Sequence, residues 1–174
     1  DCILTSAHVV RAVGDVVQID EPNGSVFSGK AIKVSQKAMP SQPGDKTGLT
    51  LVIVDNMDPQ DSFVPIVIPD SYTYQQDEAL EFLAYFGRSG VIMRAEAKLS
   101  FVAPYIVEVI DRQLRPSYRD ILELLFAEGT GGDKVRPGYS GGPVRNVEGA
   151  LVGITQATIK LRFGSTEYAG FTPH

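Results

Sequence analysis

Arg136 to Val144 reads R-P-G-Y-S-G-G-P-V, with Ser140 two residues after one glycine and directly before two more. Glycine accepts positive φ and lets other backbone or a substrate come close. A serine on such a turn presents its hydroxyl outward. The neighbouring backbone N–H groups are then free to point at a substrate carbonyl oxygen, which is what an oxyanion hole requires. A serine hydroxyl is a poor nucleophile at neutral pH and needs a base within hydrogen-bond reach; imidazole titrates in the right range. The chain has two histidines, and His174 is its last residue. The other, His8, closes an apolar β-type run, I-L-T-S-A-H-V from Ile3 to Val9. Alone, the serine segment also reads as an ordinary Gly/Pro/Ser turn between strands. The histidine string is what tilts it towards nucleophilic catalysis.

Together the two stretches resemble the chymotrypsin-like (trypsin-like) serine proteases. Leu4-Thr5-Ser6-Ala7-His8 resembles that family's L-T-A-A-H string with one conservative change, and Gly138-Tyr139-Ser140-Gly141-Gly142-Pro143 resembles G-D-S-G-G-P except at Tyr139. Histidine early and serine late is also the family's order. The apolar run Ala150 to Ile154 resembles its strand after the nucleophile. The G-x-S-x-G elbow of α/β-hydrolases also fits Gly138 to Gly142, but there the histidine comes last and a helix follows the serine. His174 would have to serve, and no such helix pattern follows Ser140.

The resemblance implies an all-β fold of two antiparallel six-stranded Greek-key barrels with the site in the cleft between them. It implies peptide-bond hydrolysis through an acyl-enzyme on Ser140, with His8 as general base and the N–H groups of Gly138 and Ser140 as the oxyanion hole. Lys134, six residues before the serine, falls at the base of the primary specificity pocket, with Gln156, Ala157 and Thr158 on the other wall. A lysine there disfavours basic substrate side chains and favours acidic ones; it is otherwise a solvated lysine on a Gly-rich loop. The third triad member departs from the pattern. The family's aspartate opens a strand that matches Gly48-Leu49-Thr50-Leu51-Val52-Ile53-Val54, so its slot holds Gly48 or, two residues along, Thr50. Asp45 is the nearest carboxylate upstream, and Asp55 is at the wrong end. Tyr139 cannot make the ion pair with a new N-terminus that activates secreted zymogens, which points to the intracellular and bacterial-type branches. The competing reading is a weak or inactive protease-like domain that binds peptides or partner proteins.

The chain has 174 residues, 43% of them hydrophobic, enough for one domain or two small barrels sharing a core. A net charge of −5 argues against nucleic acid as a partner. Cys2 is the only cysteine, so no internal disulfide forms, and an intracellular setting is favoured over secretion. No apolar run approaches membrane-spanning length, so no membrane partner is expected. Neither a metal nor an organic cofactor is expected, because no ligand cluster with metal spacing occurs. The expected partners are a peptide or protein substrate and regulatory domains outside this chain.

The expected organisation is a first barrel over 1–70, partial at its start because only seven residues precede His8, a connection over 71–79, and a second barrel over 80–174. Strands are predicted over Val16–Ile19, Val26–Val34, Leu49–Val54 and Val64–Ile68, with Asn23-Gly24 as a hairpin turn. In the second barrel they are predicted over Leu80–Phe86, Val91–Phe101, Tyr105–Ile110, Gly149–Gln156, Ala157–Phe163 and Glu167–Phe171. Ser117 with Asp120 resembles a helix-start box, and the apolar Ile121, Leu122, Leu124, Leu125 and Phe126 before Gly129 predict one surface helix near 117–128.

Overall fold

The computed structural model describes residues 2–21, 24–34, 48–55, 66–86, 91–111, 118–160 and 164–173. These residues form eleven strands. The first four are β1 (Cys2–Ser6), β2 (Val16–Asp20), β3 (Val26–Val34) and β4 (Leu49–Asp55), paired antiparallel in the order β1-β4-β3-β2. Gly24 has φ +88°, as the tight β2–β3 hairpin requires. Inward residues of this open sheet, Ala31 and Val52, pack with Val10 into a small core.

The remaining strands are β5 (Ala79–Phe86), β6 (Val91–Leu99), β7 (Tyr105–Asp111), β8 (Tyr118–Gly129), β9 (Pro143–Asn146), β10 (Leu151–Lys160) and β11 (Glu167–Pro173). They run in the order β11-β10-β9-β5-β6-β8-β7, and β11 also pairs with β8. That pairing closes six strands into a barrel and leaves β7 outside it, hydrogen-bonded to the free part of β8. Closure removes the sheet edges an open sheet would leave unpaired. The interior holds alternate residues of each strand, among them Phe82, Leu99, Leu125, Val152 and Phe171.

The segment expected as a helix near 117–128 is strand β8, and no helix occurs among the described residues. Its apolar residues are explained by burial on both faces. Leu125 and Ala127 face the barrel interior, while Leu122, Leu124 and Phe126 form a second cluster under Phe101, Val107, Ile159 and Tyr168. A strand covered on both sides presents apolar residues at successive positions, which mimics a broad helix face. Two further strand boundaries differ. β10 runs unbroken through residues expected as two strands, with a register shift between Thr155 and Ala157. Residues 66–68 are not a strand, although the Val67 carbonyl accepts the Leu151 N–H at 2.8 Å.

Candidate active site

The Ser140 turn is held by its own backbone. The N–H groups of Tyr139, Gly141 and Gly142 donate to the carbonyls of Arg136 (3.1 Å), Thr155 (2.8 Å) and Tyr139 (2.9 Å). Among the described residues no backbone acceptor faces the N–H of Gly138 or of Ser140. Two of these bonds lie within the turn and the third ties it to β10, while the amides of Gly138 and Ser140 are left for another acceptor. Gly138 and Gly141 sit at φ +105° and +84°, where other residues are strained. Between them Tyr139 is buried and Ser140 half-buried. The Tyr139 ring is 1% exposed and belongs to the interior cluster of the closed barrel, and burial pushes its phenol pKa up.

Gly141 brings the two sheets together. A Cβ there would run into the Thr5 hydroxyl and come within 3.3 Å of the Ser6 nitrogen, so the Ser140 turn lies directly on the end of β1. His8 follows β1 by two residues and is half-buried. Its turn is fixed by Val9 and Val10 N–H groups on the Ser6 carbonyl (3.0 and 3.3 Å), by Ala7 N–H on the Gly48 carbonyl, and by Arg11 Nε on the carbonyl of His8 itself (3.2 Å). The Ser140 hydroxyl donates to the Gln156 carbonyl at 3.3 Å.

Both residues at the expected acid position have other work. Thr50 is fully buried, and its hydroxyl donates to the Val10 carbonyl at 2.7 Å, bracing the turn after His8. Gly48 takes φ +63° and offers its carbonyl to Ala7. Asp45 lies outside the described residues. Thr50→Val keeps the shape but leaves the Val10 carbonyl without that donor. It is expected to cost about 1–3 kcal/mol, read as a lower midpoint in urea unfolding; an unchanged midpoint would contradict the bracing role.

Of the four residues expected at the specificity pocket, Lys134 and Thr158 line an open cavity of about 480 Å³, together with Glu96, Glu128 and the Lys160–Glu167 pair (3.8 Å). Ala157 is half-buried, and Gln156 is 2% exposed with its amide against Gly48 of the first sheet. Thr172, the buried hydroxyl that takes the Gln156 amide, carried no signal in the sequence: a threonine in a terminal strand looks like any other. Among the described residues no three His, Cys, Asp or Glu side chains gather as metal ligands would.

A closed antiparallel barrel beside an open antiparallel sheet, with the G-Y-S-G-G-P turn of one laid on the histidine-bearing strand end of the other, is the chymotrypsin-like two-barrel architecture. The chain belongs to the trypsin-like peptidase domain family, whose model matches residues 1–154. No curated protein sequence matches it. Among solved structures it is similar to the MamO protease domain from Magnetospirillum magneticum, in its apo form, at 18% identity and TM-score 0.64 over 99% of this chain and 78% of that one. It is also similar to the active form of the Rv3671c protease from M. tuberculosis, at 18% identity and TM-score 0.63 over 99% and 64% of the two chains. The HtrA-type protease AlgW, solved with a decapeptide, matches at 16% identity and TM-score 0.62; this chain spans 44% of its length.

Proposed function

We propose that this domain is a serine endopeptidase acting through an acyl-enzyme on Ser140. The observation that carries the reading is the contact at Gly141, which sets the Ser140 turn against the His8 strand end, with two N–H groups of that turn meeting no backbone acceptor among the described residues. Ser140 Oγ leaves the Gln156 carbonyl and attacks the scissile carbonyl carbon, while His8 takes the hydroxyl proton. The carbonyl oxygen becomes an oxyanion held by the N–H groups of Gly138 and Ser140. His8 then protonates the leaving amine, and water repeats the sequence to free the acid and regenerate the hydroxyl. With Gly48 and Thr50 both non-acidic, Asp45 is the candidate carboxylate for orienting His8. Lys134 is exposed at a cavity that also holds Glu96, Glu128 and Glu167, so its charge alone sets no preference for acidic side chains; the lone cysteine suits an intracellular setting.

The absence of an acid at Gly48 and Thr50 favours a second reading, a peptide-binding domain with weak or no turnover. Hydrolysis of an unfolded protein substrate separates the two. The endopeptidase reading expects new peptide termini with wild type and none above background with Ser140→Ala, at an unchanged melting midpoint. Equal hydrolysis by the variant would overturn it, and binding without hydrolysis by wild type would establish the second reading.

A further inference from the structure

We propose that Gln156 is a positioning residue that ties the two halves of the site together. This rests on reading Ser140 and His8 as the reacting pair. A buried carboxamide is costly unless its polar atoms are bonded. Gln156 is 2% exposed, and its Nε2 donates to Thr172 Oγ1 at 2.7 Å and to the Gly48 carbonyl at 3.4 Å. That same carbonyl accepts the N–H of Ala7, the residue before His8. At the other end of the residue, the Gln156 carbonyl accepts the Ser140 hydroxyl at 3.3 Å. One residue of the closed barrel therefore reaches the nucleophile through its backbone and the histidine segment through its side chain.

The shape of the site around Gly48 fits this role. A Cβ at Gly48 would lie 2.6 Å from Leu122 Cδ2 and 3.6 Å from Gln156 Oε1. Leu122 and the positive φ at Gly48 disfavour a side chain there, and the Gln156 amide lies in ordinary contact beside it. The amide holds, by a hydrogen bond to backbone, the strand end that would otherwise carry the acid.

If Gln156 only fills space, a residue of equal length without a donor would serve as well. Gln156→Met is that residue, and Gln156→Glu keeps the shape while its carboxylate cannot donate to Gly48. Both variants and wild type are compared by the rate of inactivation with a fluorophosphonate and by amide hydrogen exchange at Ala7. The expected result is a limiting inactivation rate about tenfold lower in each folded variant, since the hydrogen bond to Gly48 is lost in both, at an unchanged half-saturating probe concentration. Exchange at Ala7 rises by a similar factor. Wild-type labelling rates in a folded variant overturn the proposal, and so does slow labelling without faster exchange at Ala7. If wild type itself fails to label, the endopeptidase reading falls, and exchange at Ala7 alone decides: faster exchange in the variants supports the tie through Gly48, unchanged exchange overturns it.

Discussion

Tyr139→Asp, which would complete the family's G-D-S-G-G-P motif, is expected to unfold the domain rather than improve it. The Tyr139 ring is among the largest fully buried side chains and packs in the interior cluster with Phe82, Val144 and Phe171. Truncating a buried aromatic ring costs about 3–5 kcal/mol, and a carboxylate in the same place adds a desolvation penalty of about several kcal/mol. The sum is comparable with the whole stability of a domain, about 5–15 kcal/mol. The sign with pH follows from burial. A buried carboxyl has a raised pKa in the folded state, so the penalty is smallest below the unfolded value of about 3.9 and grows as pH rises through it. Urea unfolding of Tyr139→Ala and Tyr139→Asp at two pH values checks both size and sign; wild-type stability in either variant would remove Tyr139 as the anchor of the nucleophile turn. The same logic applies to the native phenol, whose pKa burial raises. Its contribution is complete below the unfolded value of about 10 and is lost as pH climbs above it.

His8→Ala is expected to lower kcat on the order of 10⁴-fold or more while leaving KM within a few fold, the pattern of a group acting mainly in the transition state. His8 is half-buried in the turn after β1, so the variant should fold. The double variant with Ser140→Ala should be no slower than either single one, because the two act as a unit. A His8→Ala domain retaining turnover within threefold of wild type would place the base elsewhere.

The site was legible where backbone geometry restricts residue type. Gly138 and Gly141 had to be glycine at positive φ, and Gly141 also because Thr5 leaves no room for a side chain, so the turn stands out in the sequence. Strands with one buried face, such as β6, show their alternation plainly. β8 was not legible, because residues 122 to 127 are apolar on both faces apart from Glu123, and no period of two survives. β9 is four residues long, too short to carry any period. The direction of Gln156 was hidden by the register shift after Thr155. Residues 151–156 are all buried, and alternation resumes only from 157, so the pocket wall expected over 156–158 divides, with Gln156 buried against Gly48 and Thr158 at the cavity. The acid position was readable as a departure, but its cause was not. Leu122 and Gln156 come from strands far along the chain to fill the space beside Gly48.

Labelling with a fluorophosphonate followed by peptide mapping tests the central claim most directly, since the probe reacts only with a serine activated by a base beside an oxyanion site. One phosphonyl group is expected on the wild-type domain, on Ser140, with none on Ser140→Ala and a greatly slowed reaction on His8→Ala. A folded wild-type domain that takes up no probe, or takes it at another residue, would contradict the assignment of Ser140 as nucleophile.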